Sequence, residues 1–131
     1  MNDMHLGKIA EHQFIVDASK RNLLVSRPVH DFRGYDLIVQ GNAKLYKIQI
    51  KSTRQKAAGK NSYRFSCSRG SKSKQAYTKD HVDYFAFYIF ELNAWFIVPI
   101  FEIKTKNINI FPHKPDHKYT KYLEAWHLIQ K

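Results

Sequence analysis

The sequence predicts a mixed α/β (α+β) fold, a sheet flanked by helices. Three observations carry this: apolar residues at helical spacing near the start, several short alternating or continuous apolar stretches in the middle, and a second helical spacing near the end. With 131 residues, 44% of them hydrophobic, the chain suits one domain with its own core, needing neither disulfides nor a structural metal. The lone Cys67 excludes an intramolecular disulfide framework. The opening MNDMHLGKIAEHQF is neither a signal nor a transit peptide, and the longest apolar run, residues 84–90, is far too short to span a membrane. An intracellular, membrane-free protein is expected.

Residues 6–20 place Leu6, Ala10, Phe14 and Ala18 four apart, which predicts a helix with Asp3 as a candidate N-cap. Residues 22–29 read as a short strand interrupted near Pro28, followed by a loop over 30–34. Residues 35–40 and 44–51 form the best hairpin, turning through Gly41 and Asn42. The polar, basic stretch STRQKAAGKN reads as a mobile loop. Residues 62–69 alternate, with Tyr63, Phe65 and Cys67 on one face, and predict a half-buried strand. Residues 70–81 read as a basic loop or short helix. Residues 84–90 and 94–100 form a second hairpin about Leu92 and Asn93, apolar enough to be buried on both faces. Residues 101–117 are irregular, broken by Pro112 and Pro115. Tyr119, Tyr122, Leu123, Trp126 and Ile129 then fit a packing helix over 119–130.

Charge narrows the function. Lys and Arg number 22 against 11 Asp and Glu, a net charge of +11. Placement says more than the sum: residues 37–79 hold 11 basic side chains and no acid. A surface that is merely soluble mixes its signs, so this segment points to a polyanion, nucleic acid in particular. Arg54, Lys56, Lys60, Arg64, Arg69, Lys72 and Lys74 are candidate DNA contacts, with Arg33, Lys47 and Ser52 beside the first hairpin.

That hairpin also carries the chemistry. Alternation puts Lys47, Gln49 and Lys51 on one face of their strand, and a loop of two or four residues sets Asp36 opposite Lys47 or Gln49 on that same face. A three-residue loop would break the parity. Glu11 lies at the edge of the first helix's apolar stripe, where a carboxylate wants a partner. The alternative for each is structural: Glu11 pairing with an interior Lys, Asp36 serving a turn. His113 and His117 have the H-x₃-H spacing of a zinc pair, but one cysteine and the intervening prolines argue against a zinc site. Cys67, Asp83, Trp95 and Trp126 read as structural, and no Walker, GxGxxG or GxSxG pattern occurs.

The set of an acidic helix residue (Glu11), an Asp opening a strand (Asp36) and Gln49-Ile50-Lys51 on the next strand resembles the PD-(D/E)XK nuclease superfamily. The segments GKIAEHQF, YDLIV, YKIQIKST and HVDYFAFYIF, in this order, are most similar to the PD-(D/E)XK homing endonucleases of group I introns. Archaeal Holliday junction resolvases are similar in size and layout. The resemblance implies one restriction-endonuclease-like nuclease domain over residues 1–131, a mixed sheet flanked by helices. It implies catalysis by Glu11, Asp36, Gln49 and Lys51, and a Mg2+ site (Mn2+ substituting) formed by Asp36, Glu11, Gln49 and the Ile50 carbonyl. The expected substrate is double-stranded DNA, cut to leave 5′-phosphate and 3′-hydroxyl ends. One active site per chain, against two strands to cut, implies a homo-oligomer, a dimer or tetramer, and a cytoplasmic, nucleoid-associated location. Gln49 departs from the superfamily's usual Glu or Asp: an amide oxygen is a neutral ligand that adds no charge to a cation site. Gln variants are known in the homing branch. A junction resolvase and a catalytically inert DNA-binding domain of the same fold remain the alternatives.

Overall fold

The computed structural model describes residues 2–30, 34–69 and 75–131. Helix α1 spans Asp3–Ser19. Its cap is Asn2 rather than the expected Asp3: the Asn2 side-chain oxygen accepts the His5 amide at 2.9 Å, leaving Asp3 in the first turn. The four-residue spacing buries Ala10, Phe14 and Ala18.

The strands follow in order: β1 (Leu24–Ser26), β2 (Leu37–Gln40), β3 (Leu45–Thr53), β4 (Tyr63–Ser66), β5 (Ser68–Arg69), β6 (Gln75–Ala76), β7 (Tyr84–Ile89), β8 (Ala94–Pro99) and β9 (Asn107–Ile110). The main sheet runs β1-β2-β3-β7-β8, antiparallel except where β3 lies parallel to β7. A parallel pair requires a crossover, and β4, β5 and β6 lie within that connection. β4 pairs with β9, and β5 with β6, as two small ribbons.

The two faces of the main sheet are covered differently. The rings of Tyr88 and its cross-strand partner Trp95 meet at a tilt, 4.5 Å between centres, and Phe14 of α1 meets Trp95 at 5.2 Å, so α1 covers this face. Ile48 and Ile50 lie on it too, paired with Tyr84 and Ala86. On the opposite face Phe65 of β4 packs on Phe87 at 4.7 Å and Tyr77 on Phe85 at 5.1 Å. That two-sided cover explains why β7 and β8 are nearly continuous in apolar residues and buried almost throughout.

Three expectations are corrected. Residues 119–130 form two short 3-10 turns, Thr120–Tyr122 and Trp126–Ile129, not a helix. Leu123 bridges Phe96 of the edge strand, the Glu124 amide donates to the Trp95 carbonyl at 2.7 Å, and Glu124 takes a positive φ of 49°. Capping the β8 edge thus outcompetes helical continuation, and the apolar spacing still buries Tyr122, Trp126 and Ile129. The irregular segment after residue 100 contains β9, whose Ile108 and Ile110 are buried opposite Phe65 and Tyr63. The Asn-Ile-Asn-Ile alternation of β9 is only four residues long, and asparagine is a poor strand former, so the pattern is too short to announce a strand. Finally, part of the stretch expected as a basic loop or short helix is β6, an extended pair to β5. Beyond β3, the loop expected to be mobile is closed on itself, Ala57 donating to the Ser62 carbonyl at 2.9 Å and Lys60 to that of Ala57 at 3.0 Å. No helix among the described residues is long and apolar enough to cross a membrane.

Candidate active site

The first hairpin sets the site. Gln40 pairs with Leu45 and Leu37 with Ile48, so four residues, 41–44, make the turn, and the regular ladder ends at Leu37, one residue short of the expected pairing of Asp36 with Gln49. Asp36 sits just outside β2. Its amide donates to the Ile48 carbonyl at 2.8 Å, and its carboxylate Oδ2 accepts the Ile50 amide at 2.8 Å. The side chain thus continues a ladder that the β2 backbone has left. Because the N–H and C=O of one strand residue point to the same edge, the Ile50 carbonyl is directed to the same side as Asp36.

The alternation expected for β3 holds. Tyr46, Ile48 and Ile50 are buried on the α1 side, and Lys47, Gln49 and Lys51 are half-buried on the other. Asp36 precedes the first residue of β2 and is held to β3 by the Ile48 carbonyl and the Ile50 amide. From the α1 side, Glu11 lines the same cleft of about 400 Å³ as Asp36. From the other side, Lys51 acts on Asp36 through its charge. Burial pushes the Asp36 carboxyl up to about 6, the Ile50 amide holds it down, Glu11 pushes it up, and Lys51 and Lys8 lower it. Lys51 Nζ also lies 5.7 Å from the centre of the Tyr77 ring, and its charge reaches Cys67, whose buried thiol is raised to about 12.

The structure therefore brings Asp36, Glu11 and Lys51 within electrostatic reach of one another, with the Ile50 main chain bound to Asp36. Gln49 shares the Lys51 face of β3. Among the described residues no three His, Cys, Asp or Glu side chains gather as a metal cluster, which is what a Gln at position 49 leaves: two carboxylates. Two acids in one cleft, one of them raised to about 6 by burial and by its neighbour, fit a hard divalent cation, whose charge would favour the ionised carboxylates. Amide and backbone oxygens and water would complete the coordination.

Sequence pattern did not reveal Lys8, Arg27, His30 and Tyr35, which line the cleft with the two acids. For Lys8 a signal existed: it stands three residues before Glu11, on the same helix face, and Nζ approaches Glu11 Oε2 at 3.8 Å. For Arg27 the local pattern gave none.

The expected DNA contacts divide. Arg54, Lys56, Lys60 and Arg64 are exposed and in no ion pair among the described residues. Ser52 and Arg54 line a polar pocket of about 350 Å³ beside Asp3 at the start of α1. Lys47 is already engaged: Nζ donates to the Asp80 carbonyl at 2.8 Å, while Asp83 accepts the Lys47 amide, consistent with a structural Asp83. Arg69 belongs to β5, separated from Arg64 by a break at Cys67. Arg33, Lys72 and Lys74 lie outside the described residues.

Comparison with known proteins follows the same lines. A family model described as PD-(D/E)XK endonuclease matches residues 1–129. In structure the chain is similar to a bacterial homing endonuclease, I-Ssp6803I, with a TM-score of 0.85 and 24% sequence identity over 99% of this chain and 94% of that one. It is also similar to Archaeoglobus fulgidus Hjc, a Holliday junction resolvase from an archaeal hyperthermophile. There the TM-score is 0.60, with 16% identity over 95% of this chain and 96% of the other. At such identities the likeness speaks for the fold. Among curated proteins none matches.

Proposed function

The chain belongs to the PD-(D/E)XK endonuclease family, and on that premise we propose that it is a divalent-metal-dependent, site-specific endonuclease of double-stranded DNA. A homing endonuclease is the preferred form. The observation that carries the reading is Asp36: a buried carboxylate fixed by the Ile50 amide, sharing a cleft with Glu11 and lying within the field of Lys51. These residues have distinct tasks. Asp36 and Glu11 supply the charge that holds Mg2+ (or Mn2+), with the Ile50 carbonyl and the Gln49 amide oxygen as neutral ligands. Bound there, the cation supplies Lewis-acid polarisation of a phosphate and a lower pKa for water. Gln49 orients the attacking water. Lys51 places an ammonium beside the negative charge that develops on the phosphate. In-line hydrolysis leaves 5′-phosphate and 3′-hydroxyl ends.

Arg54, Lys56, Lys60 and Arg64, exposed on the acid-free segment, hold the duplex backbone. Cutting both strands from one active site per chain calls for a symmetric homo-oligomer, a dimer or tetramer. The test incubates the protein and Mg2+ with a plasmid library of random inserts and, separately, with a synthetic four-way junction. Linearisation of rare plasmids supports the homing reading. Cutting of the junction alone replaces it with a resolvase, and binding without product removes catalysis.

A further inference from the structure

The cleft that holds Glu11 and Asp36 has a basic wall to which the proposed chemistry gives no task. Lys8 and Arg27 line it. Arg27 arrives there by topology: Ser26 of β1 pairs with Ile38, so the chain leaving β1 carries Arg27 past Leu37 toward Asp36. It is exposed and has no ion-pair partner among the described residues. Lys8 is 66% exposed and only 3.8 Å from Glu11, a loose surface pair of a kind that contributes little and leaves the ammonium able to meet another anion. Residues 20–30 contain no Asp or Glu, so Arg27 stands in a second acid-free stretch, on the opposite side of the site in sequence from residues 37–79. Two exposed cations beside two acids, one paired loosely and the other in no ion pair among the described residues, make a surface suited to a further negative charge.

We infer that Lys8 and Arg27 form a phosphate-binding wall on the α1 and β1 side of the cleft, holding a backbone phosphate that neighbours the one to be cut. The inference rests on the nuclease reading and deepens it: the substrate strand is gripped from both flanks of Asp36, by Lys8 and Arg27 on one and by Arg54, Lys56 and Lys60 on the other. The planar guanidinium of Arg27 suits two phosphate oxygens at once, while Lys8 acts as a point charge.

The experiment measures binding of a mixed-sequence DNA duplex of about 20 base pairs over a salt series, with EDTA present to suppress cleavage. Each phosphate contact contributes about 0.9 to the slope of log K against log salt. Arg27→Ala and Lys8→Ala should each flatten the slope by about that amount, and together by about twice as much. Arg27→Lys, which keeps the charge, should restore most of the Arg27 share. In the wild-type protein the ¹⁵N-labelled Arg27 Nε–H resonance should shift as duplex is added. Unchanged slopes in both alanine variants would overturn the inference. So would a flattened slope with an unmoved Arg27 resonance, since the charge would then act through the general field rather than by contact. The nuclease reading fails separately: if Asp36→Asn still cleaves in Mg2+ at the wild-type rate, the catalytic assignment falls while these binding results stand on their own.

Discussion

Asp36 is where the local energetics conflict most. Burial and Glu11 favour its protonated form, while the Ile50 amide, Lys51 and Lys8 favour the charged one, and the first pair prevails, with a pKa of about 6 against an ordinary 3.8. The consequence for stability has a definite sign. A carboxyl raised in the folded state contributes most below its unfolded value, and that contribution is lost as pH rises through about 6. Asp36→Asn keeps an acceptor for the Ile50 amide and cannot ionise. In EDTA, wild type should therefore lose stability relative to Asp36→Asn as pH rises from about 4 to about 6. Paired thermal melts across that range check it, and a difference that stays flat would contradict it. Lys51→Ala should abolish cleavage while leaving duplex binding largely intact, which a binding titration beside the cleavage assay measures.

At the scale of elements, two contacts hold the frame around the site. Trp95 Nε1 donates to Asp17 at 2.9 Å, tying α1, and with it Glu11, to the sheet. Asp17→Ala would leave that indole N–H without its acceptor and should cost about 1–3 kcal/mol, read by urea unfolding. At the turn of the first hairpin a Cβ on Gly41 would lie 2.5 Å from the Lys131 carbonyl oxygen and 2.7 Å from that of Ile129. Gly41→Ala should therefore destabilise the protein by about 1–3 kcal/mol, seen as a lower Tm, because backbone rather than a flexible side chain must move. An unaltered Tm would show that the final segment does not press on the turn.

These same elements show what the sequence could and could not reveal. The β2–β3 hairpin was legible because its apolar period of two and its Gly41-Asn42 turn agree, whereas the way Asp36 leaves the ladder, its amide on the Ile48 carbonyl and its carboxylate on the Ile50 amide, was not. Glu11 was legible from its place beside the Phe14 stripe. The final segment misled: Tyr122, Trp126 and Ile129 bury as a helix would bury them, yet pairing with the edge of β8 decides the backbone there. Arg27 was hidden because only the pairing of β1 with β2 carries it to Asp36, and a three-residue strand announces no register.

For the whole molecule, the net charge of +11 and the uncompensated basic side chains predict binding governed by salt. If the acid-free segment neutralises about six phosphates, log K should fall with a slope near −5 against log salt, measured by fluorescence anisotropy on a labelled duplex. A slope near zero would remove that surface from the interface. Sedimentation should find a mass two or four times that of the 15.5 kDa chain, as cutting two strands requires. A strict monomer that still linearises DNA would contradict this.

The most direct measurement is single-turnover cleavage of a recovered target duplex in Mg2+ and in EDTA, by wild type, Asp36→Asn and Lys51→Ala, with folding verified by circular dichroism. The account predicts cleavage by wild type in Mg2+ only, with 5′-phosphate ends, and none by either variant. Wild-type rates from Asp36→Asn, or undiminished cutting in EDTA, would contradict it.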